Sequence, residues 1–241
     1  MRAFVASLAL CLAPWVARAD PPPPLVLWAW ERPEDLRFAP PGVGVAYLRA
    51  TVEAGPAGAR VRARRQPLFV REGAWRMAVV RVELRPRVAT LTPEAQARVV
   101  AALAEAARAP GVSAVQVDFD APASQRGAYR AMLVAARRAL PRGTWLSMTA
   151  LASWCVGDAW LDAEAMPVDE VVPMVFTMGR GGAEVLASLR EGRAFRSPAC
   201  RGSVGWAVGE PTVALRGVTR RYVFNPRAWT LESAAPWYAA P

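Results

Sequence analysis

Residues 112–122 read VSAVQVDFDAP, a short apolar run that closes on two carboxylates two positions apart and is followed by a turn and a long helical pattern. Successive side chains on a strand alternate faces, so Val115, Val117 and Phe119 share one side while Gln116, Asp118 and Asp120 share the other. Strands of an all-parallel sheet are normally apolar on both faces. A row of Gln, Asp and Asp therefore marks a strand that leads into a polar, ligand-sized opening at its C-terminal end, where barrel enzymes place their chemistry. The competing reading is structural, with Asp120 capping the next helix and Asp118 satisfying nearby backbone.

Working outward, strand patterns fall at residues 25–31 (LVLWAWE), 43–52, 68–70, 77–84 (MAVVRVEL), 145–151 (WLSMTAL), 168–178, 203–208 and 221–224. Helical patterns begin at Thr92-Pro93-Glu94, where Thr caps, Pro suits the first turn and Glu faces the dipole, and again at residues 124–140 and 184–191. A loop with a short helix occupies 154–166. From residue 91 onward helix and strand alternate, the rhythm of a parallel β/α array whose right-handed crossovers can close it. The expectation is one α/β domain, an irregular (β/α)8 TIM-type barrel poor in helices in its first half. It carries an extended Pro-rich arm at residues 21–24 and a Pro- and Ala-bearing tail from 229.

Residues 1–19 pair Arg2 with an apolar run and end in Ala17-Arg18-Ala19, the pattern of a cleavable secretory signal. The apolar run is too short to span a membrane, and no later segment is long and charge-free enough. A periplasmic or secreted chain of roughly 220 residues is expected, monomeric and without an integral membrane segment. In an oxidising compartment its two remaining cysteines, Cys155 and Cys200, most simply form one disulfide.

Absences narrow the chemistry. The chain has no histidine, and all 30 basic residues are arginine. Ser-His-Asp and Cys-His catalysis, histidine metal ligands, Schiff bases and a P-loop lysine are thereby excluded. Asp and Glu remain for acid–base work, helped by Tyr and Arg. We expect neither metal nor cofactor. The net charge of +10 comes from scattered arginines, apart from a cluster at residues 60–65 and the pair Arg220-Arg221. Nucleic acid is not the expected partner, although that cluster leaves a polyanion such as an acidic polysaccharide open.

The segments WAWERPEDLRF at 28–38, VQVDFDAPASQRGAY at 115–129, LPRGTWLSMTALASW at 140–154 and VDEVVPM at 168–174 together resemble the bacterial family catalogued as domain of unknown function 3142. That family implies no activity. More remotely, the 115–122 strand is similar to the D-x-x-D-x-D-x-E strand of chitinase-like glycoside hydrolases, which implies a (β/α)8 barrel acting on sugars. Asp118 and Asp120 match the second and third acids of that pattern. Val115 stands in place of the first, and Pro122 in place of the proton-donating Glu.

Glycoside hydrolysis needs one carboxyl with a raised pKa and a second, ionised one. Two aspartates on one face repel when both are charged, so one pKa rises. Asp120 is the candidate acid and Asp118 its modulator, with Glu83 or Glu31 as further carboxylate partners near strand ends. Trp28, Trp30, Trp154 and Trp206 are candidate sugar-stacking surfaces, and Ser147 and Thr149 candidate polar contacts. Two readings stand: an exported glycosidase using carboxylates alone, or a non-catalytic glycan-binding envelope protein that keeps the cleft.

Overall fold

In the computed structural model the decisive run forms a strand of five residues, Ala114–Asp118, buried along its whole length. The structure describes residues 21–55, 57–85, 91–158, 160–162 and 165–239, and the expected signal segment lies outside them. In chain order the strands are β1 (Leu25–Ala29), β2 (Glu34–Leu36), β3 (Val43–Gly55), β4 (Gly58–Ala63), β5 (Leu68–Val70), β6 (Arg76–Leu84), β7 (Ala114–Asp118), β8 (Trp145–Leu151), β9 (Glu170–Met174), β10 (Ser203–Ala207) and β11 (Arg220–Phe224). The helices are α1 (Pro93–Ala107), α2 (Arg126–Ala139), α3 (Ala152–Gly157), α4 (Gly182–Arg190) and α5 (Leu231–Ala234).

Eight of these strands, β1, β3, β6, β7, β8, β9, β10 and β11, run parallel, and β1 pairs with both β3 and β11. The sheet therefore closes on itself, a TIM-type barrel. Inward and outward side chains alternate along each strand. Val26, Trp28, Ala46, Met77, Val79, Ala114, Val172 and Tyr222 fill the interior. Val115, Val117, Leu146, Met148, Val171 and Val204 face outward, into the core layer that also holds Val99 and Leu103 of α1 and Tyr129 and Leu133 of α2. This two-sided burial is why the strands read as near-continuous apolar runs.

The second half follows its local signals. Thr92 accepts a hydrogen bond from the Ala95 N–H at 3.2 Å, with Pro93 in the first turn of α1. The first half substitutes other cover for helices. Strand β4 folds back antiparallel on β3, and β2 pairs with β5. The outer face of β1 and β3, carrying Leu25, Leu27, Val43 and Val45, is covered by Leu36, Trp229 and Ala234. The stretch read as a tail thus caps the barrel wall. Trp229 donates its indole N–H to the Trp28 carbonyl and its backbone N–H to Glu34, each at 2.8 Å. Apolar strand faces must be covered by something, and where the β1–β3 connection carries β2 and prolines in place of a helix, the segment after β11 supplies the cover.

Cys155 and Cys200 are bonded, joining α3 to the segment before β10. Among the described residues no helix is long and apolar enough to cross a membrane.

Candidate functional site

The barrel interior is layered. At the N-terminal end Glu170 accepts hydrogen bonds from Arg220 (2.5 Å), Tyr222 (2.6 Å) and Ser203. One layer up, the Trp28 indole donates to Gln116 at 3.0 Å and Gln116 donates to Ser147 at 2.9 Å. These networks close the barrel from below. Buried polar groups need partners, and the closed network gives the interior a fixed floor.

Above that floor, at the C-terminal end of the strands, lies a cavity of about 420 Å³. One end is acidic. Asp118 lies beside Arg81 in the β6–β7 register. Its Oδ2 accepts from Arg81 Nη1 at 3.2 Å and its Oδ1 from the Thr149 hydroxyl at 2.8 Å. With the residue only 6% exposed, burial raises its pKa from 3.8 to about 6. Arg81 opposes the rise, Asp120 adds to it, and Thr149 opposes it. Asp120 lies just past the strand end. The Ala121 N–H donates to the Phe119 carbonyl at 2.9 Å, so Asp120 stands at the tip of a three-residue turn. It is exposed to the cavity and, among the described residues, has no hydrogen bond or ion pair. Partial desolvation raises its pKa, again against Arg81.

The opposite wall is aromatic. Phe176 and Phe224 stack at 5.7 Å, and the Trp28 and Trp30 rings each lie 6.0 Å from one of them. Arg81 also lies over the Trp30 ring, 5.5 Å from its centroid. The rim is completed by the glycine-bearing loop from Phe176 to Gly182, which carries Arg180.

Of the residues singled out from the sequence, Asp118, Asp120, Trp28, Trp30 and Thr149 line this cavity. The others are placed elsewhere, and each placement has a physical reason. Ser147 is one layer below Thr149, fully buried beside Gln116. Glu83 pairs with Arg81 at 3.0 Å without lining the cavity. Glu31 accepts the backbone N–H groups of Arg65 and Gln66, at 2.9 and 3.3 Å, and so ties down the basic cluster; it does not line the cavity. Trp206 follows the inward-facing Gly205 on β10 and therefore points outward, into the barrel–helix layer. Trp154 packs edge-on against Trp160 at 5.1 Å in that same layer. Within the basic cluster, Arg62 pairs with Glu53 and Arg64 donates to backbone carbonyls.

Comparison with models of protein families, with curated proteins and with solved structures found no match.

Three lining elements were not anticipated. Phe176 and Phe224 sit at strand ends that read as plain apolar runs. Arg81 stands two residues from Glu83 on one strand, but its pairing with Asp118 rests on cross-strand register, which is not visible along one strand. The loop at residues 179–182 did carry a signal, glycines directly after a strand, where barrel loops form the site. Among the described residues no group of three or more Cys, Asp and Glu side chains comes together to hold a metal.

Proposed function

We propose that the chain is an exported carbohydrate-active barrel, a glycoside hydrolase that works through carboxylates alone. The observation that carries this reading is Asp120, a carboxyl with no hydrogen bond or ion pair among the described residues, standing in an aromatic-walled cavity beside the fixed, partly neutralised Asp118. Flat rings such as Trp30 suit the apolar faces of a pyranose, and the cavity lies in the size range of small-molecule sites. Asp120 is then the group that reaches the glycosidic oxygen as acid. Asp118, gripped by Arg81 and Thr149, is the second carboxyl beside it, while partial desolvation keeps the Asp120 pKa raised. The Cys155–Cys200 bond supports an oxidising destination, in line with the signal pattern at residues 1–19.

A second reading, glycan binding without cleavage, is favoured by one feature. Both oxygens of Asp118 are occupied, which leaves Asp120 as the one carboxyl at that end without a hydrogen bond or ion pair among the described residues, and Pro122 stands where a donor Glu would be expected. Asp120→Asn and Asp118→Asn, assayed for product and for quenching of tryptophan fluorescence across cell-wall and capsular glycans, separate the readings. Product formation lost in Asp120→Asn with binding retained establishes the hydrolase. Binding by wild type with no product from any glycan establishes the second reading. No binding of any glycan refutes both.

A further inference from the structure

The cavity is bipolar. Its acidic end, Asp118 and Asp120, comes from the end of β7 and the turn after it, whereas the loop leading into α4 contributes a cation, Arg180, at the rim. Arg81 is committed, through Nη1 to Asp118 and through Nε to Glu83. Arg180 is not. It is exposed and, among the described residues, makes no hydrogen bond or ion pair, even with Glu184 one turn further on. Within the loop it is the sole charged side chain, since its neighbours are Gly179, Gly181 and Gly182.

The backbone presenting it is braced. Thr177 has a φ of +48°, the one positive value for a non-glycine residue among those described. A threonine there is strained, because its branched Cβ crowds the backbone, so the surroundings must hold it. Glu210 does so. Its carboxylate accepts the Thr177 N–H at 2.8 and 3.1 Å and the Thr177 hydroxyl at 3.0 Å. Gly181 continues the turn at φ +86°. Strain and a carboxylate clamp are thus used to fix a loop whose one charged side chain has no hydrogen bond or ion pair among the described residues. Arginine's planar fork matches carboxylate and sulfate oxygens, and a ligand held between the aromatic wall and this rim is positioned to bring it one.

We infer that the cavity selects an anionic glycan, a sugar bearing a carboxylate or sulfate, with Arg180 as the residue that reads the negative group while the uncharged part of the ligand lies against Trp30 and Phe224. This rests on the sugar reading of the cavity and narrows its substrate class.

The test uses matched probes: an oligouronate and its carboxyl-reduced counterpart, and a sulfated oligosaccharide with its desulfated counterpart. Each is titrated by tryptophan fluorescence against wild type, Arg180→Gln, Arg180→Lys and, as a control for overall charge, Arg138→Gln on the exposed face of α2. Wild type is expected to prefer the charged member of at least one pair by about tenfold, a preference that shrinks at high salt. The uronate and sulfate pairs tell which anion is meant. Arg180→Gln should bring the two members of that pair to near equality, Arg180→Lys should keep part of the difference, and Arg138→Gln all of it. Equal binding of charged and neutral members by wild type, or a preference unchanged in Arg180→Gln, overturns the inference. In both cases the sugar reading survives, because the neutral glycan still binds. Failure to bind any of the four probes overturns the anion inference, and the broader panel then decides the sugar reading separately.

Discussion

Asp118 should make the protein less stable as pH rises, and Asp118→Asn should abolish that dependence. The carboxyl keeps its proton up to about pH 6 in the folded protein, against 3.8 for an ordinary aspartate, chiefly because it is buried. A folded-state pKa above the unfolded one contributes stability that is complete below pH 3.8 and lost as pH rises through 6. The gap of about two pH units, at about 1.4 kcal/mol each, amounts to about 3 kcal/mol. Asparagine resembles the protonated acid, so it can still accept from Thr149 and never acquires the buried charge. The two proteins should therefore be close in stability at pH 4. By pH 8 the variant should have gained about 3 kcal/mol on wild type, or about 6–12 °C in Tm for a chain of this size. Urea or thermal denaturation of both proteins at several pH values from 4 to 8 measures the difference directly, and groups that titrate alike in both cancel. Parallel profiles would refute the reasoning. So would wild type gaining on the variant as pH rises, because that would mean the Arg81 pair outweighs desolvation. Arg81→Gln should move the transition upward, since the charge that opposes the rise is gone.

Three further outcomes are expected. Replacing Cys155 and Cys200 together with Ser should cost about 3–4 kcal/mol in urea denaturation, since the bond closes a loop with a sequence separation of 45. A Cβ at Gly205 would lie 3.0 Å from the Trp28 ring and 3.3 Å from Phe176, so Gly205→Ala should destabilise by about 1–3 kcal/mol and shift the tryptophan emission as the cavity floor moves. Tyr222→Phe removes a donor from the buried Glu170 carboxylate and should cost about 1–3 kcal/mol in the same denaturation assay, whereas an unchanged midpoint would show that Arg220 and Ser203 suffice.

Much of the fold was legible because the physics that sets it is local. A barrel strand buried on both faces must be a short apolar run, and a helix that covers it must start at a cap and carry one apolar stripe. Residues 77–84, 145–151 and 203–208 could be assigned on that basis, as could the helix after Thr92. The 112–122 stretch announced its role because Gln116 and Asp118 are polar where a strand interior is normally apolar. The alternation of faces, counted forward, put Asp118 and Asp120 at the open end. What the chain could not announce were relations between distant segments. That Arg81 lies beside Asp118 depends on register between β6 and β7. That Trp206 faces outward while Trp28 faces inward depends on which parity each strand takes when the sheet closes. Trp229 covers β1 only because closure leaves that face bare and brings the chain end to it, and Phe176, Phe224 and Arg180 become a wall and a rim only once β9 and β11 stand around the same axis. Single strands encode which residues are buried, whereas the closed barrel decides which of them share a cavity.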